Sequence, residues 1–131
     1  MKILVTGAKG QLGSEINKIS FNYKYNWIFT NRNSFNLLEL SYINTYLSKI
    51  KPNLIINCAA YTDVDNAEND LENADIVNNE SVKIIAKWCN YNNCRLIHIS
   101  TDYVYNQNLR IPIKEDSKNT PINSYGATKL L

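Results

Sequence analysis

Eight residues near the N-terminus limit what this chain can fold into more than any other feature: Thr6-Gly7-Ala8-Lys9-Gly10-Gln11-Leu12-Gly13. Three of the four glycines in the chain fall here, spaced G-x-x-G-x-x-G. The residues before them, 2–6, are a short β-rich run, and after them Leu12, Ile16 and Ile19 recur at helical spacing. A buried strand that turns on glycine into a helix is the opening unit of a dinucleotide-binding sheet. Gly7 permits the tight turn, Gly10 lets the backbone approach a pyrophosphate, and Gly13 lets the helix pack close to the strand. An anion would then lie at the helix N-terminus, against the free N–H groups of the first turn, which begins with Gln11 and Leu12. A glycine-rich loop without a ligand is the plainer reading, and the strand-turn-helix setting argues against it.

The rest of the chain continues the alternation. Residues 27–30, 54–57 and 96–100 read as strands, and residues 35–37 offer a short extra one. Leu40, Ile43, Leu47 and Ile50 mark a helix over residues 38–50, stopped by Pro52. Ile76, Val77, Val82, Ile85, Ala86 and Cys89 mark one long amphipathic helix over residues 74–92, and Ser124 starts another. Such alternation predicts an α/β fold: a Rossmann-like, doubly wound parallel sheet in one domain over residues 1–131, with ligands at the carboxyl ends of its strands.

Composition narrows the partners. The net charge of +2, from 14 basic and 12 acidic residues, gives no electrostatic footprint for nucleic acid or a membrane surface. The apolar run at residues 3–5 is far too short for a secretory segment or a span, so a cytoplasmic protein is expected. Cys58, Cys89 and Cys94 form no C-x-x-C pair, which fits reduced thiols and no zinc site, with Cys58 a small buried residue. Residues 106–123 are polar enough for a loop, and within them the mixed charges of residues 114–118 read as solvated.

Two further clusters carry chemistry. A sheet that prefers NAD places an acid after its second strand, to hold the ribose 2′-OH. Here Asn31 and Arg32 stand there instead, and Arg32 would pair with a 2′-phosphate, which favours NADPH over NADH. Tyr125 and Lys129 are four apart, on one face of the last helix. An ammonium and a helix N-terminus both stabilise a phenolate, so this pair suits a tyrosine acid-base. Ser100-Thr101-Asp102-Tyr103 follows the fourth strand and brings hydroxyls to the same sheet edge.

Together these features resemble the extended short-chain dehydrogenase/reductases, and in finer wording the dTDP-4-dehydrorhamnose reductase family. The likeness is carried by Ile3-Leu4-Val5-Thr6-Gly7 with Gly10-Gln11-Leu12-Gly13-Ser14-Glu15, by Pro52-Asn53-Leu54-Ile55-Ile56-Asn57-Cys58-Ala59-Ala60-Tyr61-Thr62, and by Val64-Asp65 with Ala67-Glu68. His98-Ile99-Ser100-Thr101-Asp102-Tyr103-Val104-Tyr105 and Tyr125-Gly126 with Lys129 complete it.

The resemblance implies NADPH-dependent reduction of the 4-keto group of dTDP-4-dehydro-L-rhamnose, with NADH the alternative cofactor. Tyr125 would give the proton, Thr101 would bond the reacting oxygen, and Lys129 would anchor the nicotinamide ribose. Ala59, Ala60 and Tyr61 would line the cofactor path, Asn36 and Leu37 would flank the adenine, and Thr62, Thr101 and Asp102 would touch the nucleotide sugar. Some members are homodimers bridged by Mg2+ through a glutamate on the first helix, the position of Glu15; a surface glutamate is the plainer reading. Family members are more than twice this length, so the expectation is a cofactor half lacking its last strands and substrate lobe, with an exposed sheet edge, a last helix short of packing partners, and weak or no turnover alone. A non-catalytic NADP-binding regulatory module and a sibling nucleotide-sugar reductase or epimerase are the alternatives.

Overall fold

Alternation along β1 (Lys2–Thr6) puts Leu4 on one face and Ile3 and Val5 on the other, and all three are buried. A strand buried on both faces belongs inside a sheet. The computed structural model describes residues 1–105 and 112–130. In it β1 lies between β2 (Asn26–Phe29) and β3 (Leu54–Asn57), with β4 (Arg95–His98) beyond β3. All three pairings are parallel. The chain steps from β1 outward to β2, then crosses back over β1 to reach β3. Connections therefore diverge between β1 and β3, which makes that junction the topological switch point of a Rossmann-like doubly wound sheet, as expected.

The helices follow their apolar spacing. Ile43 and Leu47 of α2 (Leu40–Ile50) close on Leu4 and Ile55 of the sheet, and so do Ile85, Trp88 and Cys89 of the helix after β3. Each fully buried side chain of this size contributes about 1.5–3 kcal/mol of transfer free energy. Trp88 also donates its indole N–H to Ser48 Oγ at 3.1 Å, which ties the two helices together. Lys51 ends α2 in the left-handed region at φ 52°, just before Pro52.

Residues 35–37 form no strand. Phe35 and Leu37 are buried in the core, but from an irregular loop in which Asn36 Oδ1 accepts from Leu38 N–H at 3.2 Å. A short apolar run anchors a loop as well as a strand, and only a paired neighbour makes it the latter. The fourth strand runs over residues 95–98 rather than 96–100.

The long helix is also not uniform. It begins at α3 (Leu71–Asp75), widens into a π turn over Ile76–Glu80, and continues as α4 (Ser81–Tyr91). Asn78 and Asn79, adjacent in sequence, are both buried in the widened turn, and Asn79 Oδ1 has no hydrogen-bond partner.

The last helix, α5 (Ser124–Leu130), is well packed, against expectation. Tyr125 is buried with Ala67 and Ala74 in a small second core, beside Tyr61, Val64 and Tyr103. As foreseen, β4 ends the sheet among the described residues, and Ile97 on it is 48% exposed. Residues 106–111 of the polar stretch lie outside the described residues; residues 114–116 and 118 are exposed, as anticipated.

Candidate cofactor and catalytic site

At the switch point the backbone itself is the construction material. Gly7 sits at φ +66°, and a Cβ there would lie 2.7 Å from Ala59 N, so the ends of β1 and β3 approach as only glycine allows. Gly10 N–H bonds Gly7 O at 2.9 Å, and Ala8 N–H bonds Thr30 O at 2.9 Å. Gly13 is buried beneath the turn against Gly7. Gly10 caps α1 (Gln11–Ser20) without any side-chain bond, which leaves the first-turn N–H groups free of a side-chain partner.

A crevice of about 830 Å³ opens above this turn. Gly7, Gly10, Gln11 and Leu12 form one wall, Asn31, Arg32, Asn36 and Leu37 a second, and Ala59, Ala60, Tyr61 and Thr62 a third. Gly13 is not on its surface. Cys58 is: it is half-buried on the crevice wall rather than a core residue, and burial pushes its thiol up. Arg32 is exposed at the tip of a turn in which Asn31 Oδ1 accepts from Asn33 N–H at 2.9 Å. Beside it a hollow of about 170 Å³ is lined by Lys9 and Arg32 with no carboxylate.

The other end is assembled from side chains. Glu68 accepts from Ser124 N–H at 2.7 Å and Ser124 O–H at 2.8 Å, and these bonds hold its carboxyl below the usual range. Asn123 Oδ1 accepts from Gly126 N–H at 2.7 Å, an N-cap for α5. Gly126 fits where a Cβ would overlap the carbonyl of Tyr103, so α5 lies directly against the 3₁₀ turn Asp102–Val104. The rings of Tyr103 and Tyr125 meet edge-on at 5.6 Å. Asn78 joins the two ends: it accepts from Tyr61 N–H at 2.8 Å, donates to Tyr61 O at 3.1 Å, and bonds Thr128 Oγ1 at 3.1 Å.

Tyr125 and Lys129 are both buried, at 8% exposure. Lys129 Nζ donates to Ile99 O at 2.6 Å and lies 3.3 Å from His98 Nε2; burial lowers its pKa. Burial, helped by the Lys129 charge, brings His98 down to about 4. Thr101 caps the 3₁₀ turn: its Oγ1 accepts from Tyr103 N–H at 3.3 Å and donates to Asp102 Oδ1 at 3.3 Å. Thr101, Asp102, Tyr125 and Lys129 are not on the crevice wall, although Ile99, which Lys129 bonds, is.

Sequence reasoning missed several of these residues. Lys9 was visible as a basic residue inside the glycine turn. Asn57 and His98 stood inside motifs that carry the family likeness but with no role attached, since their partners lie 31 to 51 residues away; Asn78, 17 residues from Tyr61, and Asn123, one polar residue among many, carried no local signal.

Glu15 is exposed and pairs with Lys18 at 2.6 Å. Among the described residues no group of three or more His, Cys, Asp or Glu side chains converges, so the residues present do not fit a magnesium site. No helix among them is long and apolar enough to cross a membrane.

Comparison with known proteins identifies the family and supports the fold. The family model described as the RmlD substrate binding domain matches residues 1–131. A dTDP-4-dehydrorhamnose reductase of Burkholderia thailandensis is 37% identical over all of this chain and 44% of its own length. The crystal structure of a dTDP-4-dehydrorhamnose reductase from Clostridium acetobutylicum superposes with a TM-score of 0.95 at 37% identity, covering 99% of this chain and 46% of that one. One from Bacillus anthracis, solved in complex with NADP, gives 0.92 at 31% identity, covering 98% and 46%. The chain thus spans slightly less than half the length of these relatives.

Proposed function

This chain belongs to the RmlD substrate binding domain family, and from that premise we propose that it is the cofactor half of an NADPH-dependent reductase converting dTDP-4-dehydro-L-rhamnose to dTDP-L-rhamnose. The observation that carries this reading is a glycine turn at the β1–β3 switch point with the Tyr125–Lys129 helix beside the end of β4, on the same carboxyl edge of the sheet.

In this reading the N–H groups of Gln11 and Leu12 hold the diphosphate, with Gly7, Gly10 and Gly13 shaping the turn beneath it. Arg32 takes the 2′-phosphate, helped by Asn31 and by Lys9 across the hollow. Asn36 and Leu37 flank the adenine, and Ala59, Ala60 and Tyr61 guide the cofactor toward the nicotinamide end. Bound NADPH supplies the hydride. Tyr125 gives a proton to the oxygen that hydride transfer leaves charged, while the Lys129 ammonium favours the resulting phenolate and holds the nicotinamide ribose. Thr101 bonds the same oxygen, for which its hydroxyl turns away from Asp102; Thr62 and Asp102 meet the nucleotide sugar. Glu15 has no part in it. Turnover needs the further length that the relatives carry, so steady-state activity of the 131 residues alone is expected to be weak.

Titration with NADPH and NADH, followed by quenching of Trp27 and Trp88, tests the reading. NADPH should bind at least about 10-fold tighter, because a charged phosphate contact contributes about 1.5–3 kcal/mol. Arg32→Ala should close most of that gap and leave NADH binding unchanged. Binding of neither cofactor would overturn the proposal.

A further inference from the structure

Thr6, Asn57 and His98 end β1, β3 and β4 in one register row, Thr6 opposite Asn57 and Asn57 opposite His98. Strand alternation places all three side chains on the same face of the sheet. Hydrogen bonds run along this row and on to α5. Ala59 N–H donates to Thr6 Oγ1 at 3.3 Å, and the Thr6 hydroxyl donates to Asn57 Oδ1. Asn57 Nδ2 lies 3.0 Å from His98 Nδ1, and His98 Nε2 lies 3.3 Å from Lys129 Nζ.

A neutral imidazole has one N–H and one bare nitrogen, which gives the row a direction. With Asn57 Nδ2 toward His98 Nδ1, a neutral Lys129 gives one direction, in which every donor points from Ala59 toward α5. His98 Nδ1 accepts, Nε2 carries the ring proton, and Lys129 receives it with a lone pair, as a neutral amine. An ammonium reverses the row. It donates to Nε2, the ring proton moves to Nδ1, and the Asn57 amide turns over so that its carbonyl meets that proton. Hydrogen bonds to a charged group are stronger than those between neutral groups, so the state of Lys129 sets the direction of the bonds from His98 back to Thr6, while Ala59 N–H donates in either state.

We propose that His98 is a positioning residue for Lys129, its tautomer and the Asn57 amide orientation switching together with the charge on the lysine. The inference rests on reading Lys129 as the lysine that holds the cofactor and tunes Tyr125. It extends that reading, because a proton gained at the catalytic end is felt at Thr6, beneath the glycine turn. Burial favours the device: His98, at about 4, stays neutral while Lys129, also lowered, titrates. Lys129 is the charge that bears on the ring. Cys58 follows β3 and Tyr125 lies on α5, and neither hydrogen-bonds to the ring among the described contacts.

His98 is the only histidine in the chain, so long-range ¹H–¹⁵N correlation spectra show a single imidazole. The expected result is the Nδ1–H tautomer at neutral pH, passing to Nε2–H as the pH rises through the lysine titration, below its ordinary 10.5. Lys129→Met should hold Nε2–H throughout, and Lys129→Arg should hold Nδ1–H. One unchanged tautomer across the pH series and the variants would overturn the proposal; should a variant fail to fold by its backbone amide spectrum, the pH series of the parent chain decides alone. A switching imidazole in a chain that binds no NADPH would sink the functional reading and leave the switch standing. A fixed tautomer in a chain that binds NADPH would do the reverse.

Discussion

The glycine turn at the switch point and the Tyr125 helix beside the end of β4 share one edge of the sheet and are held by opposite means. At the turn, main chain meets main chain, with Gly7 pressed against Ala59 and Gly13 against Gly7. At α5, side chains reach across 50 and 56 residues of sequence, Asn78 to Thr128 and Glu68 to Ser124. The first arrangement forbids added atoms. The second fails when atoms are removed or protonated.

The largest effect should come from adding one carbon at the turn. Gly7→Ala places a side chain in the left-handed region and against Ala59 N, costing about 2–4 kcal/mol and abolishing NADPH binding. Denaturant unfolding and the cofactor titration check it; an alanine variant with parental affinity would break the contrast. Next is the joint between the ends. Asn78→Leu strands Tyr61 N–H and leaves Thr128 Oγ1 only its bond to Tyr125 O, at about 1–3 kcal/mol, read from the unfolding midpoint. Asn123→Ala should cost about 1 kcal/mol as a lost N-cap, visible as faster amide exchange confined to residues 124–130.

Smallest is a pH effect. The carboxyl of Glu68 is lowered in the folded chain by its bonds to Ser124. Its support for α5 is therefore complete above the unfolded value of 4.5 and lost as pH falls through the lower folded one. Exchange protection at residues 124–130 should fade on acidification before that of the glycine turn does. Simultaneous fading at both ends would show that they are one cooperative unit.

The same contrast explains what could be read from the sequence. The turn was legible because three glycines and the flanking strand and helix are consecutive. Tyr125 and Lys129 were legible for the same reason, being one helical turn apart. The packing of α5 was not, since Ala67 and Glu68, though part of the family likeness, and Ala74 show no tie to α5 until the fold returns the chain beside them. Nor was the row of Thr6, Asn57 and His98, which exists only through the register of three strands. Residues 35–37 misled because burial of Phe35 and Leu37 gives a loop the apolar look of a strand.

The π turn over Ile76–Glu80 has a consequence for how this chain tolerates change in length. A turn closed five residues back instead of four contains one residue more than a regular helix needs. Loss of a single residue within it would restore ordinary winding and keep α3 and α4 in phase, whereas the same loss inside α4 would rotate Ile85, Trp88 and Cys89 off the core. What such a deletion erases is the simultaneous burial of two neighbouring asparagines, and with it the hold of Asn78 on Tyr61 and Thr128. The helix can wind without the extra residue, but the joint between the two ends of the site depends on it.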